Sequence, residues 1–372
     1  MKKSIQVTMI FTFLLFSCAT MLRAQKKEGS SVMKSATPLQ GQRGVPANLP
    51  DISMIGNIMG TFSDDKNDSQ RGKLLVDEIE LALQGYIYPK IRADVFPAWH
   101  RHDDTVEAEI CEAKATFLNL PGGLGAEIGK VHVGFGKINK IHTHRRLMAD
   151  QPQVITNFLG EHGLVGEGAS LNYLAPLPFF AQIEAGAWTV PDAHSHTEDE
   201  HSSDFSLANK VYTGRAWTSF AATGKSELEI SGNFAKGSGS HFDDHLDKTR
   251  AWGSDLTFKF WPSAYGRLIV RNEWIYLERR VPVGKLRRHG FYSFANYRFD
   301  KYWDIGARYD YADNALPARV TDRSASAAIA YHFTETTLAR AQYKRKFLNP
   351  SDTHEAYLHF IFGIGPHSHQ LE

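Results

Sequence analysis

Residues 355–372 read EAYLHFIFGIGPHSHQLE, and the alternation inside this stretch decides the architecture. Leu358, Phe360, Phe362 and Ile364 fall on one face of an extended chain, and Tyr357, His359, Ile361 and Gly363 on the other. Side chains in a strand point to opposite sides in turn, so the stretch is a strand rather than a helix. Four large apolar groups backed by glycine and histidine suit a strand with one face in lipid and the other toward something polar. The rest of the chain must then supply partners for that strand and a reason for the polar side.

The start of the chain supplies a compartment. Lys2 and Lys3 precede an apolar run over 10–16, with small residues at Ala19 and Ala24. A basic segment, a short apolar core and a small residue before the cut predict a secretory signal over residues 1–24, with cleavage after Ala19 or Ala24 both readable. The alternative of a lipid on Cys18 in LLFSC is poorly served by Phe16. Without the signal only Cys111 is left, so an intramolecular disulfide is excluded. Residues 25–50 are polar with scattered Pro and Gly, and predict a disordered periplasmic lead-in. With 42 basic and 41 acidic residues the charge is balanced, which argues against nucleic acid as a partner. No later apolar run reaches the roughly 18 residues of a spanning helix. An exported chain of this kind, 12% aromatic, predicts either a large β-sandwich or a membrane barrel.

Segment lengths separate the two. Alternating apolarity marks about sixteen strands: 51–62, 75–87, 90–100, 106–118, 124–136, 167–175, 179–190, 209–222, 225–236, 249–261, 265–278, 288–299, 302–313, 322–333, 336–347 and 354–365. Short links such as YPK (88–90), TGK (223–225) and TET (334–336) alternate with longer or polar ones: 63–74, 101–105, 137–166, 191–208, 237–248, 279–287, 314–321 and 348–353. A sandwich has no such length rule. A closed antiparallel transmembrane β-barrel does, with tight turns on one side of the membrane and long loops on the other. The fold expected is therefore an all-β barrel over 51–366 in the bacterial outer membrane, with 367–372 as a C-terminal tail. One segment resists. In EAEICEAKATF (107–117) the apolar face of Cys111, Ala113, Ala115 and Phe117 carries Glu109 to the lipid side, unless Glu109 lies at the external rim or the register slips there.

The block LPGGLGAEIGKVHVGFGKINKIHTHRRLMADQPQVITNFLGEHGLVGEGASLNYLAPLPFF (120–180) and the closing FGIGPH (362–367) carry a family resemblance. The chain resembles the general outer-membrane porins, more narrowly the phosphate-selective porin family, and is similar to a group of bacterial outer-membrane proteins labelled zinc-regulated. Some zinc-linked members are called TonB-dependent receptors, barrels of about 22 strands with a plug domain. A lead-in of this length cannot be such a plug, and the chain ends PHSHQLE rather than on the aromatic residue such barrels present. The resemblance implies a passive diffusion porin for small hydrophilic solutes or ions, with outer-membrane lipid around it and a homotrimer as the expected assembly.

In porins the third external loop folds inward and narrows the pore, so the resemblance implies that role for 137–166. Its candidate constriction residues are Lys137, Lys140, His142, His144, Arg145, Arg146 and Asp150, and a ring of charge there would set ion selectivity. The alternative is a loop folded over the barrel top with solvated charges. Asp150 before QPQVITNFLG reads as the cap of a short helix closed by Gly160. By parity the lumen receives Lys114, Arg271, Glu273, Arg308, Asp310, Arg340 and Lys344, together with Arg215, Lys259, Arg298, Glu80, Glu112, Glu229, Asp255 and Glu355. The signs are mixed, so no phosphate-specific ladder of Arg and Lys emerges. Paired charges stiffening a polar interior are the plainer reading of any single one.

The remaining candidates are histidines. His194, His196 and His201, among Glu198, Asp199 and Glu200, offer imidazole and carboxylate to Zn²⁺, Cu²⁺ or Ni²⁺. That makes a metal-linked (zinc-linked) binding or uptake protein the second functional expectation. The function requires no cofactor on this reading, and loop-bound zinc is the one candidate ligand. HTH at 142–144 and HSH at 367–369 are weaker, since each supplies only two ligands. No G-x-S-x-G elbow, HExxH or P-loop is present, and GKVHVGFGK lacks the strand–helix context of a dinucleotide site, so an enzyme is not expected.

Overall fold

A computed structural model of the chain describes residues 50–366 except 67, 103–104, 192–206, 240–247, 282–283, 317–318 and 349–350. The expected signal, lead-in and tail, and His194, His196 and His201, lie outside the described residues.

Among the described residues sixteen strands follow one another: β1 Asp51–Ser63, β2 Leu74–Tyr88, β3 Ile91–His102, β4 Thr105–Leu120, β5 Leu124–His132, β6 Val165–Leu174, β7 Phe180–Val190 and β8 Leu207–Thr223. Then come β9 Ser226–Gly239, β10 Lys248–Phe260, β11 Arg267–Val281, β12 Gly284–Arg298, β13 Trp303–Asp313, β14 Thr321–His332, β15 Leu338–Lys346 and β16 Thr353–Ile364. Each pairs antiparallel with its neighbours, and β1 pairs with β16 from Met54↔Ile364 to Ser63↔Glu355, which closes the sheet. Closure leaves no edge and gives every strand a hydrogen-bonding neighbour on both sides, the condition for backbone in hydrocarbon.

The strand that decided the architecture behaves as its alternation requires. Phe360 and Ile364 are exposed outward, Leu358 and Phe362 partly so, and Glu355, His359 and Ile361 are buried on the inside. Phe362 lies across β1 directly over Gly56, where a Cβ would collide with its ring. Outward aromatic residues collect at both ends of the wall: Tyr86, Tyr88, Phe220, Trp261, Tyr297 and Phe333 near the tight turns, and Trp99, Tyr212, Trp274, Phe291 and Tyr309 toward the long loops. Two such girdles mark the membrane–water interfaces of a barrel.

Three sequence expectations need correction. The polar link 279–287 is mostly strand: β11 runs to Val281, β12 starts at Gly284, and Val281 pairs with Gly284. Polar side chains on both faces read as loop, but here they decorate a hairpin held by its own ladder and by Lys285 and Arg287 near Glu278 at 3.6 and 3.9 Å. The segment 124–136 stops being strand at His132. Glu109, read as lipid-facing, is turned inward. Between β3 and β4 the register shifts at Phe96/Pro97, so that Phe96 faces Glu112 while Ala98 faces Glu109, and Cys111 is the extra residue. Proline has no N–H to give a ladder, and a bulge accommodates it there. Of the readings open for this segment, the register slip is the one observed.

Candidate functional site

The segment between β5 and β6 (133–164) enters the barrel. It carries two single 3₁₀ turns, Ile138–Lys140 and Thr143–Arg145, and one helix, α1 Gln153–Leu159. Val154, Ile155, Phe158 and Leu159 of α1 are all buried, together with Ile138, Ile141, Met148 and Leu164. They pack on apolar residues that the wall presents inward: Val211 of β8, Ala235 of β9, Ala251 of β10, Ile275 and Leu277 of β11, Tyr292 and Phe294 of β12, and Ala312 of β13. Burying each of the larger side chains contributes about 1.5–3 kcal/mol, offset in part by ordering the loop. Pro152 occupies the cap position before the helix and no side chain of the loop caps it, which corrects the reading of Asp150 as its cap. The wall does that work: the Gln153 N–H donates to Oδ1 of Asp310 at 3.2 Å. Gly160 closes the helix with φ of 102°, a conformation open to glycine.

Polar contacts fix the other side of the loop around the barrel. Lys137 donates to Glu229 at 2.7 Å, and Lys140 lies 3.4 Å from Glu184. His142 sits between Glu80 at 3.0 Å and Glu112 at 3.5 Å. Burial works against charge on this imidazole, but the two carboxylates outweigh it and raise its pKa to about 10. His144 is buried beside it, ring centres 5.7 Å apart. Arg146 donates to the Ile141 carbonyl, and its own carbonyl accepts from Arg340 at 2.7 Å. Asp150 receives Arg308 at 2.8 Å, Lys344 at 2.7 Å and Gln342 at 2.5 Å. Its burial would raise the carboxyl, but Arg308 and Lys344 hold it well below the usual carboxylate range. The loop is thus tied to β2, β4, β7, β9, β13 and β15, and it lies across the lumen rather than over the top.

The structure gives the burial and partners of the residues that parity assigns to the lumen. Arg271, Glu273, Arg308, Asp310, Arg340 and Lys344 are buried, and Lys114 is half-buried, 3.0 Å from Glu112 and 3.7 Å from Glu127. Most serve the loop: Glu273 accepts from the Ile138 N–H and from Tyr292. Between the loop and the β2–β8 arc a cavity of about 520 Å³ remains. Its lining holds six Lys and Arg side chains (Arg92, Lys114, Lys137, Lys140, Arg145 and Arg215) and His142 against four carboxylates (Asp94, Glu112, Glu127 and Glu184). Arg145 and Arg215 have no carboxylate partner among the described residues, whereas the other four Lys and Arg side chains are paired. Arg215 instead sits over the Trp217 ring at 5.0 Å, and Lys137, besides its pairing with Glu229, lies 5.2 Å from the same ring. Arg92, Asp94, Glu184 and Trp217 were not singled out from the sequence, although the strand alternation that found Lys114 also contained them.

No family model matches the chain. An uncharacterized protein of Aquifex aeolicus is 30% identical over 222 residues, which cover 54% of this chain and 47% of the relative, so the chain spans about half the length of the curated relative it matches. Solved structures match over most of the barrel. The outer-membrane channel DcaP of Acinetobacter baumannii aligns with a TM-score of 0.54 at 12% identity, covering 85% of this chain and 96% of that one. An anion-selective porin from Comamonas acidovorans aligns with a TM-score of 0.54 at 9% identity (84% and 99%). The outer-membrane protein OmpT of Vibrio cholerae, in a trimer form, aligns with a TM-score of 0.53 at 8% identity (84% and 98%). The fold is the closed sixteen-strand barrel of the bacterial outer-membrane porins. At these identities the likeness is one of fold.

Proposed function

We propose that the chain is an outer-membrane porin, a passive channel for small hydrophilic solutes and ions that leans toward anions. The observation that carries this reading is the loop tied across the lumen with an open, charged cavity beside it. A barrel built only as a scaffold has no need to hold a segment against both walls, whereas a channel gains a defined eyelet from it. Paired charges on the lining cancel at short range, so the uncompensated Arg145 and Arg215 set the sign of the local field. Nothing in this arrangement calls for bond chemistry, and the reading is of a channel rather than an enzyme.

Reconstitution into planar bilayers tests it. Discrete conductance steps and a reversal potential favouring chloride over potassium in a salt gradient are expected. A folded, heat-modifiable barrel that never conducts would overturn the proposal. Sizing in detergent addresses the assembly, for which a homotrimer is proposed by analogy with the trimer form of the OmpT fold. The metal-linked reading of His194, His196 and His201 is a second proposal, tested by calorimetry with Zn²⁺ on the parent and on a variant with all three changed to Ala. Equal heats from the two would end it.

A further inference from the structure

A second polar cluster lies on the same wall, between the eyelet and the long-loop end of the barrel. Glu78 stands four residues into β2, His100 near the end of β3 and Cys111 at the β4 bulge. Nε2 of His100 is 2.9 Å from Sγ of Cys111, and its Nδ1 is 3.9 Å from Oε1 of Glu78. One ligand atom from each of the three lies within 4.8 Å of the other two. Oε2 of Glu78 is fully buried and has no hydrogen-bond partner among the described residues. A buried carboxylate oxygen left without a donor is costly and asks for a cation.

We infer that Glu78, His100 and Cys111 form a binding site for a transition-metal cation of the Zn²⁺ class on the inner wall of the barrel. The donor set is the first reason. Thiolate, imidazole and carboxylate together select borderline-soft metals over Mg²⁺ or Ca²⁺, which take oxygen. Spacing is the second: tetrahedral bonds of the usual Zn–S, Zn–N and Zn–O lengths put ligand atoms about 3.5 Å apart, within small side-chain adjustments of the separations here. Access is the third. The Glu109 carboxylate, 3.3 Å from His100, is 41% exposed, and the exposed His162 places its ring 5.9 Å from that of His100, so a path and a fourth ligand come from the solvent side. Binding replaces the Cys111 thiol proton, which leaves to water. A neighbouring trio, Glu80 with His142 and His144, has similar spacing. There His142 is bridged between Glu80 and Glu112, and that trio anchors the loop. The bulge is what makes the Cys111 site: in an unbroken register Cys111 would face lipid. The site stands whether or not the barrel conducts.

Co²⁺ titration of the reduced full-length protein in detergent tests the inference. A near-ultraviolet thiolate-to-cobalt absorption should grow to one equivalent, be displaced by Zn²⁺, and vanish in Cys111→Ser. His194, His196 and His201 carry no sulfur and cannot produce that band. Glu78→Gln and His100→Ala should each weaken binding by about ten-fold or more. Should those variants misfold on heat-modifiability gels, Zn²⁺ protection of Cys111 against maleimide in the unaltered protein replaces them. Absence of the band from folded protein, or unchanged maleimide labelling in Zn²⁺, would overturn the site.

Discussion

Two arcs of the inner wall do opposite things. On the long-loop half of β8 to β13 the wall offers Val211, Ala235, Ile275, Leu277, Tyr292 and Phe294 to the inserted loop, an apolar cluster beside the buried charges Glu229, Arg271 and Glu273 of the same strands. From β2 to β8 it offers Asp94, Glu112, Lys114, Glu184 and Arg215, and there the cavity remains. A barrel lumen is expected to be polar throughout. The lumen is therefore partitioned: one region is an apolar dock that helps to fix the loop, and the other lines the charged cavity.

The sharpest way to break this contrast is to make the dock polar. Phe158→Ala should remove about 3–5 kcal/mol of packing, and Phe158→Asp should add the cost of an unpaired buried carboxylate. Loop release should then raise single-channel conductance by roughly two-fold or more as the lumen is vacated. Trypsin should also gain access to Arg145 and Arg146. Unchanged conductance in a folded Phe158→Asp barrel would mean that the dock does not set the passage.

Next in size is the charged anchor that closes the loop's far end. Asp150→Asn leaves Arg308 and Lys344 without their shared carboxylate, a cost of about 3–5 kcal/mol. The pH dependence follows from the direction of the Asp150 shift. Its folded pKa lies below the ordinary carboxylate value of about 3.9, so the stabilisation is fully present above that value and is lost only as pH falls toward the depressed one. Parent conductance should therefore hold steady through pH 4 and change only in stronger acid, and the Asn variant should lack that Asp150-linked transition.

A smaller effect separates two adjacent arginines. Arg145 lines the cavity without a carboxylate partner, whereas Arg146 is engaged with Ile141 and, through its carbonyl, with Arg340. Arg145→Glu should shift the permeability ratio toward cations by roughly two-fold, read as reversal potential, while Arg146→Gln leaves it nearly unchanged. Smallest is Trp217→Leu, which removes the ring under Lys137 and Arg215 and should cost about 0.5–2 kcal/mol. Its expected trace is a slight increase in current noise, with selectivity retained.

Much of this was legible in the residues. Alternation of large apolar groups, as from Leu358 to Ile364, located all sixteen strands within a few residues, because the period of two is a local property. The inward loop was expected from resemblance, and its charged residues were named. The helix cap was not legible: Asp150 and Asp310 lie far apart in sequence, and only closure of the barrel brings the second to Gln153. The dock was hidden for a related reason. Ile275 and Leu277 continue an inward face that begins with Arg271 and Glu273, and parity says which way a residue points without saying what meets it there.

Parity and loop lengths thus determined by themselves that the chain forms a membrane barrel, because lipid demands a periodic apolar face and a closed backbone ladder. What the tertiary structure alone decided is the content of the lumen. Pro97 breaks the register of one hairpin and turns Glu109 and Cys111 inward, and a loop from between β5 and β6 finds its carboxylates on strands from β2 to β13. Such contacts join residues far apart in the chain, and no local pattern records them, since their energy exists only once the sheet has closed.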